Sequence, residues 1–325
     1  MCWGHFATKP WGAFMGRSFL RSLGITSLVL TISSPLLAFD EASLPGTDLI
    51  YGNDDRVEID QYSESSYIEK AQSIALRVPK RRLTEDRNNP LRILFPNIPL
   101  KSSMPQICGD ERFSEQVSLG NCSGFLVGPK TLVTAGHCML NEKECADNKW
   151  VFGFKDNTTE LKSSQVYSCK KINTQRYVYN EKEVSDYAVI ELDRNVEGYV
   201  PLKTRKFGRV LLNTPLVVIG HPMGLPMKAT DGAVVSRMND IERETKIRSF
   251  FLRSHYFTAN LDSYGGNSGS PVFNKRNGKV EGILIQGAED FVYNPQKECL
   301  ESRRLTNSYL NTYEKVMRIN KVPGL

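Results

Sequence analysis

Three short segments carry the side chains best suited to chemistry. Thr134-Ala135-Gly136-His137-Cys138 places a histidine beside a cysteine, and Gly266-Asn267-Ser268-Gly269-Ser270-Pro271 brackets a serine with glycines. Between them, Ser185-Asp186-Tyr187-Ala188-Val189-Ile190-Glu191-Leu192 opens an apolar run with an aspartate. A serine hydroxyl is a poor nucleophile until a base takes its proton during attack. Histidine suits that task because its pKa lies near neutrality, and a buried carboxylate can hold its tautomer and stabilise the imidazolium. His137, Asp186 and Ser268 are therefore the candidate base, orienting acid and nucleophile. Asp193 and Asp156 are rival acids, but Asp193 follows the apolar run rather than opening it. His221 and His255 have no evident chemical partner and read as structural. An α/β-hydrolase elbow would need Gly-x-Ser-x-Gly and the order Ser…Asp…His; here Ser270 stands in the last place and the order is reversed.

The elements that must position these groups read as strands. Gly124–Val127, Thr131–Thr134, Trp150–Phe154, Tyr187–Leu192, Pro215–Ile219, Gly232–Ser236, Phe250–Thr258 and Val280–Ile285 are short runs separated by Gly, Pro, Asn and Asp. This spacing fits an all-β sandwich or barrel better than alternating β and α units. Tyr309, Tyr313, Val316, Met317 and Asn320 fall at helical spacing, so an α-helix is expected over 307–320. The stretch 39–103 is polar apart from Ser73–Val78 and reads as an N-terminal extension or pro-region, leaving 104–325 as the working domain. Arg17 and Arg21 precede an apolar run from Leu23 to Leu37 with Ala38 after it, which reads as a signal peptide over 1–38 and an exported protein.

The 325 residues are 40% hydrophobic and 24% charged with a net charge of +6, an ordinary globular composition. The densest basic stretch, Arg77 to Arg92, also holds Glu85 and Asp86 and has no interleaved aromatics, so nucleic-acid binding is not expected and a solvated, protease-accessible connector is the plainer reading. Six cysteines remain after Cys2, namely Cys108, Cys122, Cys138, Cys145, Cys169 and Cys299. In an exported chain they imply disulfides, although many pairings are open. Zinc-type ligand spacings are absent, and neither a metal nor a cofactor is expected.

The three motifs, in this order, resemble those of the chymotrypsin-like (trypsin-fold) serine proteases over about Arg112 to Asn320. Cys122-Ser123-Gly124-Phe125-Leu126-Val127 leading to the histidine segment is similar to that family's strand, loop and histidine signature. The Asn before Ser268, the Ser after Gly269, and Ile50-Tyr51-Gly52-Asn53-Asp54-Asp55-Arg56 resemble its bacterial branch, which includes glutamyl endopeptidases. The resemblance implies two six-stranded antiparallel β-barrels, about 104–200 and 201–306, with the triad between them and a C-terminal helix. It also implies an oxyanion hole from the amides of Gly266 and Ser268, and a disulfide Cys122–Cys138. Cys145–Cys169, which brackets a strand pair, is expected next, and Cys108–Cys299 follows only by elimination. Asn267 departs from members with an aspartate there, so an ion pair with a newly cut N-terminal amine is impossible at this position.

By the same resemblance Asp262, with Gly287, lines the primary specificity pocket, where an aspartate selects Arg or Lys. Against this, the glutamyl branch wants a basic group, Leu284 stands where such members place a histidine, and the alternative is that Asp262 pairs with internal donors. The expected function is a secreted serine endopeptidase acting on proteins or peptides, with no membrane partner after leader removal and a monomer as the expected state. The rival is a protease-fold binding protein that has lost catalysis.

Overall fold

Successive residues of a strand point to opposite faces, so an unbroken apolar run must be covered on both sides. Pro215–Gly220 shows how this chain meets that demand. In the computed structural model, which describes residues 50–180, 183–237, 255–287, 289–305, 312 and 314–325, Leu216 and Val218 join one core while Val217 and Ile219 join another. The first core is the interior of a barrel. The second extends across to a neighbouring barrel, where it meets Phe125, Val133, Trp150 and Ile190.

The first barrel is closed by β1 (Ile74–Pro79), β2 (Cys122–Leu126), β3 (Thr131–Thr134), β4 (Asn148–Phe152), β5 (Val166–Tyr179) and β6 (Val184–Leu192), in the order β5-β6-β3-β2-β1-β4. The second comprises β7 (Pro215–Gly220), β8 (Lys228–Arg237), β9 (Tyr256–Ala259), β10 (Pro271–Asn274), β11 (Val280–Gln286) and β12 (Glu314–Arg318). Its order is β7-β10-β11-β12-β9-β8, and a β7–β8 pairing closes the ring. All of these pairings are antiparallel, as expected for two six-stranded barrels. Three disulfides are formed, Cys108–Cys299, Cys122–Cys138 and Cys145–Cys169.

Two expectations need correction. Glu314–Arg318, inside the expected C-terminal helix, is strand β12, whose Val316 faces the second barrel's interior while Met317 faces the seam. Adjacent apolar residues suit a strand buried on both faces as well as a helix, and here barrel closure decides. Residues 307–311 and 313 of that expectation, like the signal segment 1–38, lie outside the described residues. The second correction concerns the boundary at residue 104. β1 is an internal stave of the first barrel, between β2 and β4. Further upstream, Arg56–Glu58 pairs with β8, and Ile50–Tyr51 runs parallel to Arg304–Leu305. The flanking polar sequence conceals how deeply this segment is built in.

Ile74, Leu76 and Val78 are 0% exposed. At about 1.5–3 kcal/mol each, their loss would remove much of the about 5–15 kcal/mol that stabilises a typical domain. A chain starting at Ile50 is expected to melt cooperatively. One starting at Thr84, just past the dibasic stretch, is expected to show no cooperative transition by near-UV circular dichroism.

Candidate active site

β3 ends in a tight turn, Gly136–Cys138, that must lie flat against the β5–β6 hairpin. A Cβ at Gly136 would come within 2.2 Å of the Arg176 carbonyl oxygen and 2.9 Å of the Tyr187 nitrogen, so only glycine lets the turn approach. That approach brings His137 onto Asp186. The His137 backbone N–H donates to Asp186 Oδ1 at 2.9 Å, and Nδ1 lies 2.7 Å from Oδ2. A carboxylate only accepts, which makes Nδ1 the protonated nitrogen and leaves Nε2 free to act as a base. Asp186 is wholly buried whereas the imidazole is 30% exposed.

A third donor completes the carboxylate's shell. The Tyr179 hydroxyl, from the end of β5, lies 3.2 Å from Asp186 Oδ2. Burial, followed by the Asp186 charge and hydrogen bond, pushes the Tyr179 pKa well above its usual value, so the phenol stays a donor. Sequence alone did not point to Tyr179. Its closeness to Asp186 depends on the β5–β6 register, which sets Tyr177 opposite Asp186 and Tyr179 opposite Val184.

Ser268 comes from the other barrel, in the turn leading to β10. Gly269 makes the approach possible, since a Cβ there would fall 2.0 Å from the Ser123 carbonyl oxygen and 2.4 Å from Thr134 Oγ1. Ser123, fully buried on β2, fastens the turn. Its N–H donates to the Ser268 carbonyl at 2.8 Å, and its hydroxyl donates to the Gly266 carbonyl at 3.2 Å while accepting the His221 N–H at 3.0 Å. Cys138 Sγ, next to His137, is 3.9 Å from the same Ser268 carbonyl oxygen. Among the described residues no hydrogen bond joins the Ser268 hydroxyl to the imidazole. Ser123 is a second positioning residue that the motifs did not single out.

The backbone around Ser268 has a distinctive donor pattern. The N–H groups of Asn267, Gly269 and Ser270 donate to the carbonyls of Tyr264, Leu284 and Asn267, and that of Gly265 donates to Asp290. Among the described residues, those of Gly266 and Ser268 have no acceptor. The Met223 N–H donates to the Gly265 carbonyl at 2.5 Å, so the trans peptide turns the Gly266 N–H away from Met223. Two unengaged amides beside one hydroxyl are the elements of an oxyanion site. Asn267, 3% exposed, is satisfied internally: its Nδ2 donates to Ser263 Oγ at 3.2 Å and its Oδ1 accepts from Ser270 Oγ at 3.1 Å.

Asp262, expected to line the specificity pocket, is engaged with the chain's own backbone. Its carboxylate is 3% exposed, and both oxygens are taken by backbone amides, Tyr51 N–H at 2.7 Å and Asp55 N–H at 2.9 Å. The carboxylate thus ties down residues 51–55, each oxygen accepting one backbone N–H. Gly287, just after β11, is partly exposed. Leu284 packs inside the second barrel. Cys122, His137 and Cys138 cluster with donor atoms within 4.8 Å, but the two sulfurs are bonded to each other and Nδ1 faces Asp186. Those donors do not fit a metal ion, which needs thiolates and a free imidazole nitrogen. Buried His221 donates its Nδ1–H to the Leu225 carbonyl at 2.9 Å, and burial lowers its pKa to about 4. It is a neutral structural histidine.

Residues 122–283 match the family described as Trypsin-like peptidase domain. The chain carries a trypsin-like peptidase domain. This peptidase domain is 25% identical over 171 residues to the glutamyl endopeptidase of Bacillus licheniformis, covering 50% of this chain and 48% of that protein. It is 27% identical over 170 residues to the extracellular metalloprotease of Bacillus subtilis, covering 50% and 49%. The chain thus spans about half the length of the curated relatives it matches. The solved Vibrio cholerae VesB protease aligns over 82% of this chain and 64% of its own, at 16% identity and a TM-score of 0.48.

Burial lifts the Asp262 pKa to about 7, with the Asp55 and Tyr51 amides opposing that shift. A carboxyl raised in the folded state contributes stability below its unfolded value, and that contribution is lost as pH rises through the folded value. Asp262 should therefore give the peptidase a stability that falls between about pH 4 and pH 7, by up to about 4 kcal/mol. Urea unfolding across that range is expected to show a shallower slope in Asp262→Asn than in the parent protein.

Proposed function

We propose that the protein is a secreted serine endopeptidase that works through an acyl-enzyme. The observation that carries this reading is the wholly buried Asp186 carboxylate holding His137 by both its backbone N–H and Nδ1. An imidazole fixed in that tautomer presents a basic Nε2, and Ser123 on the same barrel holds the carbonyl of Ser268. In the first step Ser268 Oγ attacks the scissile carbonyl carbon and its proton passes to Nε2. The carbonyl oxygen becomes an oxyanion facing the Gly266 and Ser268 amides. The C–N bond then breaks, and the leaving amine takes the proton from Nε2. Water repeats the sequence on the ester, returning the proton to Ser268 Oγ and releasing the acid.

The absence of a Ser268–His137 hydrogen bond accords with catalytic contacts that tighten only when substrate is bound. Three disulfides support an extracellular site of action, and so does the printed description of the Bacillus subtilis relative as extracellular. The occupied carboxylate of Asp262 argues against a preference for Arg or Lys before the scissile bond.

A fluorophosphonate probe is expected to label the processed protein, and Ser268→Ala should abolish labelling. A processed, folded protein that resists the probe would instead support a non-catalytic binding protein. Asp186→Asn is expected to lower kcat by about 10⁴, through loss of the correct tautomer. Tyr179→Phe should cost about tenfold, in kcat rather than KM, because it removes a hydrogen bond to a charge without touching substrate.

A further inference from the structure

The seam between His137 and the Lys80–Arg82 turn opens into a groove of about 820 Å³ that the proposed chemistry does not by itself explain. Its lining includes Arg77, Lys80, Arg81, Glu144 and Asp147, with His137 at one end. The charges in it do not cancel. Arg77 is buried and ion-paired to Glu144, with a further bond to Asn121 Oδ1 at 3.2 Å. Asp147 is ion-paired to Lys143. Lys80 and Arg81 are exposed and have no acidic partner among the described residues. Both acids of the lining are thus neutralised, and two positive charges remain.

These cations stand on a braced support. Lys80–Arg82 forms a single tight turn closed by the Leu83 N–H on the Lys80 carbonyl. Arg82 pins it from behind by donating to the carbonyls of Ser118 and Leu119 at 2.8 and 3.1 Å. The brace fixes the backbone from which the two side chains extend, so no loop ordering is needed to bring both to the groove.

The position relative to His137 fixes which part of a substrate would meet them. The acyl half of the scissile bond is held at the Gly266 and Ser268 amides, and neither residue lines this groove. His137 does line it, and His137 must hand its proton to the departing amine, so the chain beyond that amine passes along the groove. We propose that this groove binds acidic side chains on the leaving-group side of polypeptide substrates, with Lys80 and Arg81 as specificity-determining residues. The proposal rests on the endopeptidase reading above.

The test uses the full processed protein and internally quenched peptides that share one acyl half. They differ only in whether two Glu, two Gln or two Lys follow the scissile bond. Cleavage is expected to favour Glu over Lys by about tenfold in kcat/KM at low ionic strength, as expected for two partly solvated charge pairs. Added salt should shrink that ratio. The double variant Lys80→Glu/Arg81→Glu is expected to reverse it. Because the readout is a ratio, a variant that is merely damaged would lose both substrates equally and leave the preference unchanged. An unchanged preference in the variant, or equal cleavage of all three peptides by the parent, overturns the proposal. If no peptide is cleaved and the probe fails to label Ser268, the endopeptidase reading fails instead. Fluorescence anisotropy of the same peptides on Ser268→Ala then decides the groove separately: tighter binding of the Glu peptide than the Lys peptide supports it, and equal binding sinks it.

Discussion

One backbone hydrogen bond, from the Ser123 N–H to the Ser268 carbonyl, carries more of this arrangement than its own energy suggests. His137 and Asp186 are built on the first barrel and Ser268 on the second, so in the proposed mechanism the relative placement of the barrels is itself a catalytic variable. A misplacement of about 1 Å between reacting groups can cost about a hundredfold in rate. Ser123 meets that constraint with three bonds from one residue, to Ser268, Gly266 and His221. Its own carbonyl is held by Thr134 Oγ1 at 2.7 Å, on the strand that leads to His137. The disulfide from neighbouring Cys122 to Cys138 ties the same strand to the histidine turn. The proposed base and nucleophile are thus referenced to one short piece of β2.

The apolar seam behind it keeps that reference rigid. Val217 and Ile219 on β7, Phe273 on β10, Ile283 and Ile285 on β11 and Met317 on β12 all turn their side chains toward the first barrel's core. Closely packed apolar side chains do not slide freely, which holds the two barrels together at the site. The N-terminal segment adds a polar clamp on the second barrel. Arg56, wholly buried, ion-pairs with Asp54, donates to the Tyr264 hydroxyl and lies 3.7 Å above the Tyr264 ring. Asp262 holds the amides of Tyr51 and Asp55 beside it. A buried pair of this kind is expensive to break because either partner alone would be an uncompensated charge.

The sequence was most legible where function is enforced by local backbone needs. Gly136 and Gly269 are demanded by contacts within a few ångströms, and they frame His137 and Ser268 in recognisable segments. The all-β class was legible from apolar runs of strand length, whereas the two-barrel architecture came from the resemblance to the chymotrypsin-like proteases. Tyr179 and Ser123 were not legible, since their roles arise from hairpin register and from a contact with the other barrel. Which internal donors meet Asp262 was not legible, because they lie 211 and 207 residues earlier in the chain. β1 was partly visible as Ser73–Val78 but hidden by polar flanks, and β12 was read as helix because Val316 and Met317 satisfy both periods.

Asn267 shows why the N-terminal segment and the oxyanion turn can be separate devices. An aspartate at this buried position would need a cation to be tolerated. The amide needs none: it closes a neutral circuit with Ser263 and Ser270. The remaining orientation of the turn comes from Gly265, held by Met223 on its carbonyl and Asp290 on its amide. None of these partners belongs to residues 50–58. The Ile50 N–H is bonded to the Arg303 carbonyl at 3.0 Å. The N-terminal segment therefore acts on Asp262 and Tyr264, in the stretch leading to the turn, rather than on the turn itself. It follows that the two unengaged amides keep their orientation without a free α-amino group, and that any control exercised by upstream processing has to pass through the 261–264 stretch or through access to the cleft.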